Sequence, residues 1–354
     1  MAGYATIMST FWDSTFVVEP RPTQNNALST LLLVSSDSTL DGDRYRLYAN
    51  LAAVASDEDS GFVSASGLAM ATTAFAQPIA PSLIAIGRRD GAGSETFATA
   101  LAAIANEGLQ FGMVVPDAAT AAQATSIDGY VATTTLPTLA VVRSADAAWI
   151  TGSPPSGWPT TSASTAGIYH PTAGQYPDVA ACSIAAGINA NLSRPDFTSP
   201  LTNVSTYDLT ETQRAFALAN HINPLVPIQN GGTILYPPAG GLKAFSGEYL
   251  YTKFTIMYLT YRWYDSISAQ YAKFASQNKV WPYTQAGDAA LVGCLVPAIN
   301  VGLQVGYFAP TEALPQGYKI TTSRAGGQIT ATAQVGLLDG TTQVVTVTYV
   351  ERAA

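Results

Sequence analysis

Residues 247–310 read GEYLYTKFTIMYLTYRWYDSISAQYAKFASQNKVWPYT and end GDAALVGCLVPAINVGLQVGYFAP. In the first part Leu250, Phe254, Met257, Tyr261, Tyr264 and Tyr271 recur at alternating steps of four and three, with Ser268 in the vacant position. That period belongs to one face of an α-helix, so the stretch predicts a long helix with a continuous apolar stripe. Pro282 ends it, because proline has no N–H to donate and its ring collides with the preceding turn. Thr284 is placed to cap a second apolar helix, in which Pro297 imposes a kink or break. The whole stretch holds no nucleophile–base pair, no metal-ligand cluster and no phosphate loop.

The preceding residues alternate strand and helix signals. Short apolar runs at 28–35, 82–87, 111–115 and 138–143 predict strands, and residues 67–76, 94–106, 118–127, 177–190 and 211–220 predict helices. Residues 43–55 place Tyr45, Tyr48, Leu51 and Ala52 at helical spacing. Ser94 is the expected cap of a helix carrying Phe97, Leu101 and Ile104 on one face. Such alternation implies an α/β layer, with a largely parallel sheet covered by helices on both faces. Residues 151–165 read as a turn-rich insertion. Near the end, Ile329, Ala331, Ala333, Val335 and Leu337 alternate with polar neighbours, Asp339-Gly340 offers a positive-φ turn, and residues 341–350 form the partner strand of a hairpin. The expected organisation is an arm over 1–26, an α/β domain over 27–240, an α+β domain with two helices and the hairpin over 241–340, and a terminal strand or arm over 341–354.

Both ends carry β-forming segments. Residues 15–19 (TFVVE, with Phe16, Val17 and Val18) precede Pro20 and Pro22, which stop regular structure. Residues 341–350 contain Val344, Val345, Thr346, Val347, Thr348 and Tyr349. A free strand edge presents unpaired N–H and C=O groups that template another strand. Either segment can pair within its own chain or add to the sheet of a neighbouring subunit, and both arrangements are open at this point.

Composition points the same way. The 354 residues are 11% charged, against about 25% in ordinary soluble domains. Hydrophobic content is 47%, so the missing charge is replaced by small and polar residues, as expected of a surface covered by partners; a neutral secreted domain has the same composition. Length allows roughly two domains. Sixteen basic and 24 acidic residues give a net charge of −8, which argues against direct contact with nucleic acid. Cys182 and Cys294 stand in apolar small-residue runs and read as buried free thiols. Residues 289–306 carry no charge but contain Pro297, Asn300 and Gln304, so a buried helix is favoured over membrane insertion. The first residues lack the basic start and apolar core of a signal peptide, which implies synthesis in the cytosol.

Candidate chemistry is sparse. His170 and His221 have no carboxylate or cysteine at metal-ligand spacing, and structural roles are expected of them. Residues 87–93 (GRRDGAG) lack both the GK[ST] ending of a P-loop and the GxGxxG spacing, and read as a strand-to-helix loop. Asp37, Asp41 and Asp43 match a calcium loop only loosely. No GxSxG elbow anchors a serine triad. No cofactor, metal or catalytic residue is assigned.

The order of elements in 247–310 (Gly-Glu, long helix, Lys-x-x-Pro-Tyr-Thr, Gly-Asp, helix, Gly-Tyr-x-x-Pro) resembles the inner domain of contractile-tail sheath proteins of bacteriophages. Residues 75–101, 167–189 and 206–228 resemble that family's proline-bounded strand with Ile-Gly-Arg and its return segment from outer to inner domain. The resemblance implies an outer α/β domain over 27–240 and an inner, tube-facing domain beyond it, with terminal arms linking subunits. It further implies a non-enzymatic virion protein that stacks as hexameric rings around a tail tube and contracts. Its partners would be copies of itself, the tube protein, and baseplate and tail terminator proteins. A tail tube or capsid protein, a sheath of a phage-like injection machine, and a serine hydrolase are the alternatives.

Overall fold

The computed structural model describes residues 27–37, 42–91, 95–134, 137–151, 157–195, 197, 199–227, 233–235, 241–277, 279, 281–325, 328–337 and 342–350. Two compact units share this chain. The described residues up to Asn189 and the segment Pro195–Phe254 form the first; Ala190–Arg194 and the residues from Thr255 onward form the second. Eight α-helices lie among the described residues.

The first unit is a doubly covered sheet. Its strands are β1 (Leu31–Asp37), β2 (Tyr45–Tyr48), β3 (Ile84–Asp90), β4 (Met113–Pro116), β5 (Leu139–Ser144), β6 (Thr165–Tyr169) and β7 (Ile222–Asn223). They lie in the order β2-β3-β1-β4-β5-β6-β7, and every pair is parallel except β2 with β3. Parallel strands covered on both faces read as unbroken apolar runs, and LLLV and MVVP are buried at every position.

Helices α1 (Leu51–Asp59), α2 (Ala65–Phe75), α3 (Phe97–Asn106), α4 (Ala121–Thr133), α5 (Pro177–Gly187) and α6 (Glu211–Ala219) make the crossovers. Leu32 and Val34 of β1 share a core cluster with Phe97, Leu101 and Ile104 of α3 and Ile127 of α4. On the opposite face, Gly67 of α2 comes so close to Ser35 that an added Cβ would lie 3.5 Å from it. A helix layer therefore covers each side. Side-chain caps fix the helix starts: Asn50, Ser64 and Thr96 accept from Ala53, Gly67 and Thr99, and Thr120 with Gln123 and Thr210 with Gln213 form reciprocal capping boxes.

Several boundaries differ from the sequence reading. Residues 45–48 are an edge strand, not the start of a helix, because Arg46 and Tyr48 both reach Asp57 from one strand face while Asn50 opens α1 afterwards. Thr96 caps α3, and Ser94 lies outside the described residues. Gly87–Arg88–Arg89–Asp90 belongs to β3 rather than to a loop. Residue 165 begins β6, whose Gly167 is required by packing. A Cβ there would stand 2.7 Å from Phe245 and 2.8 Å from Trp149.

The second unit holds most of α7 (Leu250–Ser276), together with α8 (Gln285–Val305) and a three-stranded sheet. Thr284 sits at the start of α8 but makes no side-chain capping bond, and the helix runs on through Pro297 to Gly306 in the left-handed conformation. The expected hairpin is a larger sheet. Strands β10 (Tyr318–Ala325), β11 (Gln328–Gly336) and β12 (Thr342–Val350) pair antiparallel, with β11 central. Ile329, Ala331, Ala333, Val335 and Leu337 are all buried. The Asp339-Gly340 turn lies outside the described residues. A small antiparallel pair, β8 (Leu225–Pro227) with β9 (Thr233–Leu235), belongs to the first unit.

Candidate assembly surfaces

In doubly wound sheets ligands enter at the carboxyl ends of the strands, where the strand order reverses. Here that point is the end of β1, flanked by β3 and β4, and the protein's own side chains fill it. The Asp117 carboxylate accepts from the Ser36 N–H (2.9 Å), the Ser36 hydroxyl (3.2 Å), the Ser66 hydroxyl (3.1 Å) and the Ala118 N–H (2.9 Å). Arg89 donates to the Ser36 hydroxyl and, at 3.0 Å, to the Glu95 carbonyl. Arg143, at the end of β5, donates to the carbonyls of Ala173 and Asp117 and lies 4.2 Å over the Tyr176 ring. Its Nε stands 3.6 Å from Asp178, which is fully buried at the start of α5. Burial pushes the Asp178 carboxyl up to about 6, against the opposing pull of Arg143 and of the Val179 N–H. These groups tie three loops together, while Arg143 Nε and Asp178 Oδ2 are buried without a hydrogen bond among the described residues.

Both histidines are bound to backbone. Buried His170 has Nδ1 beside Thr172 and Nε2 3.1 Å from the Ser205 carbonyl, with Tyr207 edge-on to its ring. Burial lowers its pKa. His221, at φ 57°, has Nδ1 2.8 Å from the Phe245 carbonyl, and its ring leaves room only for glycine at Gly247. Among the described residues no three His, Cys, Asp or Glu side chains form a metal cluster. Cys182 and Cys294 are free and buried, and burial raises both thiols.

The second unit is organised by aromatic anchors. Trp263, fully buried on α7, donates its indole N–H to the Leu295 carbonyl of α8 at 3.2 Å, and Trp281 donates to the Gly287 carbonyl at 3.2 Å. Tyr258 and Tyr307 stack at 4.6 Å, and their hydroxyls donate to Asn191 and to the Ser193 carbonyl, each at 3.3 Å. Arg194 donates to the Gly306 carbonyl at 3.4 Å. These bonds hold Ala190–Arg194 in the second unit. Of the stripe residues, Leu250, Phe254, Met257 and Tyr261 are buried, whereas Tyr264 and Tyr271 are half-buried. Trp263 and Ile267 are buried instead along that part of the helix.

The strand-forming ends are placed differently. Phe16, Val17 and Val18 lie outside the described residues. Val344, Val345, Thr346, Val347, Thr348 and Tyr349 belong to β12, which pairs with β11 from Thr342 opposite Gly336 to Val350 opposite Gln328. β12 is thus an edge strand, and no described strand lies along its other side.

Solved structures with this arrangement of elements include a tail sheath protein and chains of contractile assemblies. The sheath tail protein Lin1278 from Listeria innocua matches at a TM-score of 0.64 and 9% identity, over 90% of this chain and 94% of that one. The chain has the tail sheath fold. A chain of the anti-feeding prophage baseplate matches at a TM-score of 0.62 and 13% identity, over 96% of both chains. The PVC sheath complex of an extracellular contractile injection system, in its contracted state, matches at 0.57 and 12%, over 96% and 95%. No protein-family model and no curated protein sequence matches the chain. The tail sheath fold was legible in the motifs of residues 247–310, while the polar cluster at the strand ends was not. Its members are scattered from Ser36 to Asp178 and meet only once the sheet has formed.

Proposed function

We propose that this chain is the structural subunit of a contractile sheath. Copies stack as hexameric rings around a tail tube, and contraction drives the tube through the envelope of a target cell. The observation that carries this reading is likeness along the whole chain, 96% of it matched to 96% of a chain in a contractile-machine baseplate. In this reading residues 27–240 form the outer domain and 241–340 the inner, tube-facing one. Residues 15–19 and β12 are the strands that add to the sheets of neighbours, a contact built on main-chain hydrogen bonds. Low surface charge suits subunits that cover one another. The partners are further copies, the tube protein, and baseplate and tail terminator proteins, with no direct contact with nucleic acid. The subunit is made in the host cytoplasm and acts without catalysis in the phage virion.

A second setting, an injection machine of phage-like build, is favoured by the same neighbours, which include an anti-feeding prophage and an extracellular contractile injection system. Negative-stain electron microscopy of the purified chain, with sedimentation over a concentration series, tests the reading. Rings or striated tubes are expected, and removal of residues 341–354 is expected to abolish them. A monodisperse monomer at every concentration would count against self-assembly.

A further inference from the structure

The seven-stranded sheet ends at β2, which runs antiparallel to β3 with Tyr45 opposite Gly87 and Tyr48 opposite Ile84. The Arg44 carbonyl accepts from the Arg88 N–H. Main-chain groups alternate in direction along a strand, so those of Arg46 and Tyr48 face β3, and those of Tyr45 and Leu47 face outward. No described strand lies on that outer side. An open groove of about 830 Å3 runs along it instead.

The groove is lined by three carboxylates, Asp43, Asp57 and Glu107, and one cation, Arg46, whose Nε stands 3.6 Å from Asp43. Burial first, then the charges of Glu107 and Asp43, raise the Tyr45 phenol. Asp57 of α1 also holds Arg46, at 3.0 Å, and Tyr48 at 2.6 Å, and the bonds from Tyr48 and Arg46 hold it below the usual carboxylate range. Leu47 is 40% exposed. Outward main-chain groups beside a pocket are what strand addition requires, and an acidic rim selects a basic strand.

We propose that the outer edge of β2 accepts β10 of a second copy of this chain as an added strand. This inference rests on the self-assembly reading above. β10 is itself an edge strand, pairing with β11 alone. Its sequence, YKITTSRA, contains Lys319 and Arg324 and no acidic residue. Their positions, odd and even, put the two cations on opposite strand faces. Arg324 is drawn to Asp288 of its own unit at 3.3 Å, so exposed Lys319 is the leading contact. β12, the other edge of that sheet, reads TQVVTVTYV and has no charge for the rim to select. The two surfaces differ, so the contact is heterologous and propagates into rings or helical rows.

Leu47→Pro removes the outward N–H without touching the β2–β3 ladder. It is expected to weaken self-association at least tenfold in sedimentation at low salt. Lys319→Glu and Asp43→Lys are each expected to weaken it several-fold, and the two together to restore most of it. Circular dichroism checks folding; if Leu47→Pro unfolds, the charge swap decides. Assembly unchanged by Lys319→Glu and Asp43→Lys, or a double variant no better than either single one, overturns β10 as the occupant. A wild-type chain that assembles normally while folded Leu47→Pro also does so overturns the edge contact and leaves the sheath reading standing. A wild-type chain that never associates overturns both.

Discussion

The two sheets of this molecule solve the problem of burial in opposite ways. The seven-stranded sheet is roofed by helices on both faces, and most polar groups at its strand ends bond one another. Of the three strands in the smaller sheet, β11 alternates buried Ile329, Ala331, Ala333 and Val335 with half-buried residues, and β10 is half-buried or exposed throughout. A strand with one dry face keeps its register through alternation. The first sheet is covered on both faces and ends in the short edge strand β2, whereas the second has two long edge strands, β10 and β12.

Unfolding experiments can break this contrast. Trp263→Ala removes a fully buried indole and its hydrogen bond to the Leu295 carbonyl. A loss of about 3–5 kcal/mol is expected, seen by calorimetry as a shift in the transition of the second unit. An equal shift of every transition would mean that the units unfold as one and that the contrast is only geometric.

Asp178 sharpens the other side. Its carboxyl sits at about 6 in the fold and 3.8 in a free chain, so the folded state binds more protons between those values. The stability it provides is complete below pH ~4 and is lost as pH rises through about 6, a change on the order of 3 kcal/mol. Asn at 178 keeps an oxygen for the Val179 N–H but does not titrate. Asp178→Asn is therefore expected to flatten this part of the stability curve, measured by urea unfolding from pH 4 to 7. A variant curve parallel to the wild type would place the titration elsewhere.

The smallest effect concerns helix starts. Thr210 donates and accepts in a capping box, whereas Thr284 makes no side-chain capping bond. Thr210→Ala is expected to cost about 1 kcal/mol and Thr284→Ala only a few tenths, in the same urea titration. Equal costs would show that α8 depends on a cap in solution as α6 does.

Legibility in the sequence followed burial. Apolar runs announced β1, β3, β4 and β5, and strict alternation announced β11, because those strands meet a dry surface on two faces or one. β2 did not, since Tyr45 and Tyr48 sit three apart and satisfy helical spacing as well as edge-strand spacing. β6 was hidden by Gly167, chosen for the rings of Trp149 and Phe245 rather than for strand propensity. β10 was missed because its residues are half-buried or exposed, leaving no apolar signal. In α7 the stripe named four buried positions, but the first half of the helix is buried nearly all round. A single stripe therefore understated its core, which continues through Tyr258, Leu259 and Trp263. The strand-end cluster left no local trace at all.

The five-residue excursion Ala190–Arg194 means that the described chain passes between units three times: after Asn189, after Arg194 and within the first turns of α7. A pull on one unit is shared among three covalent tethers instead of hanging on one. A single proteolytic cut between them would leave the halves joined. Such redundancy spreads a load that a single linker would carry alone.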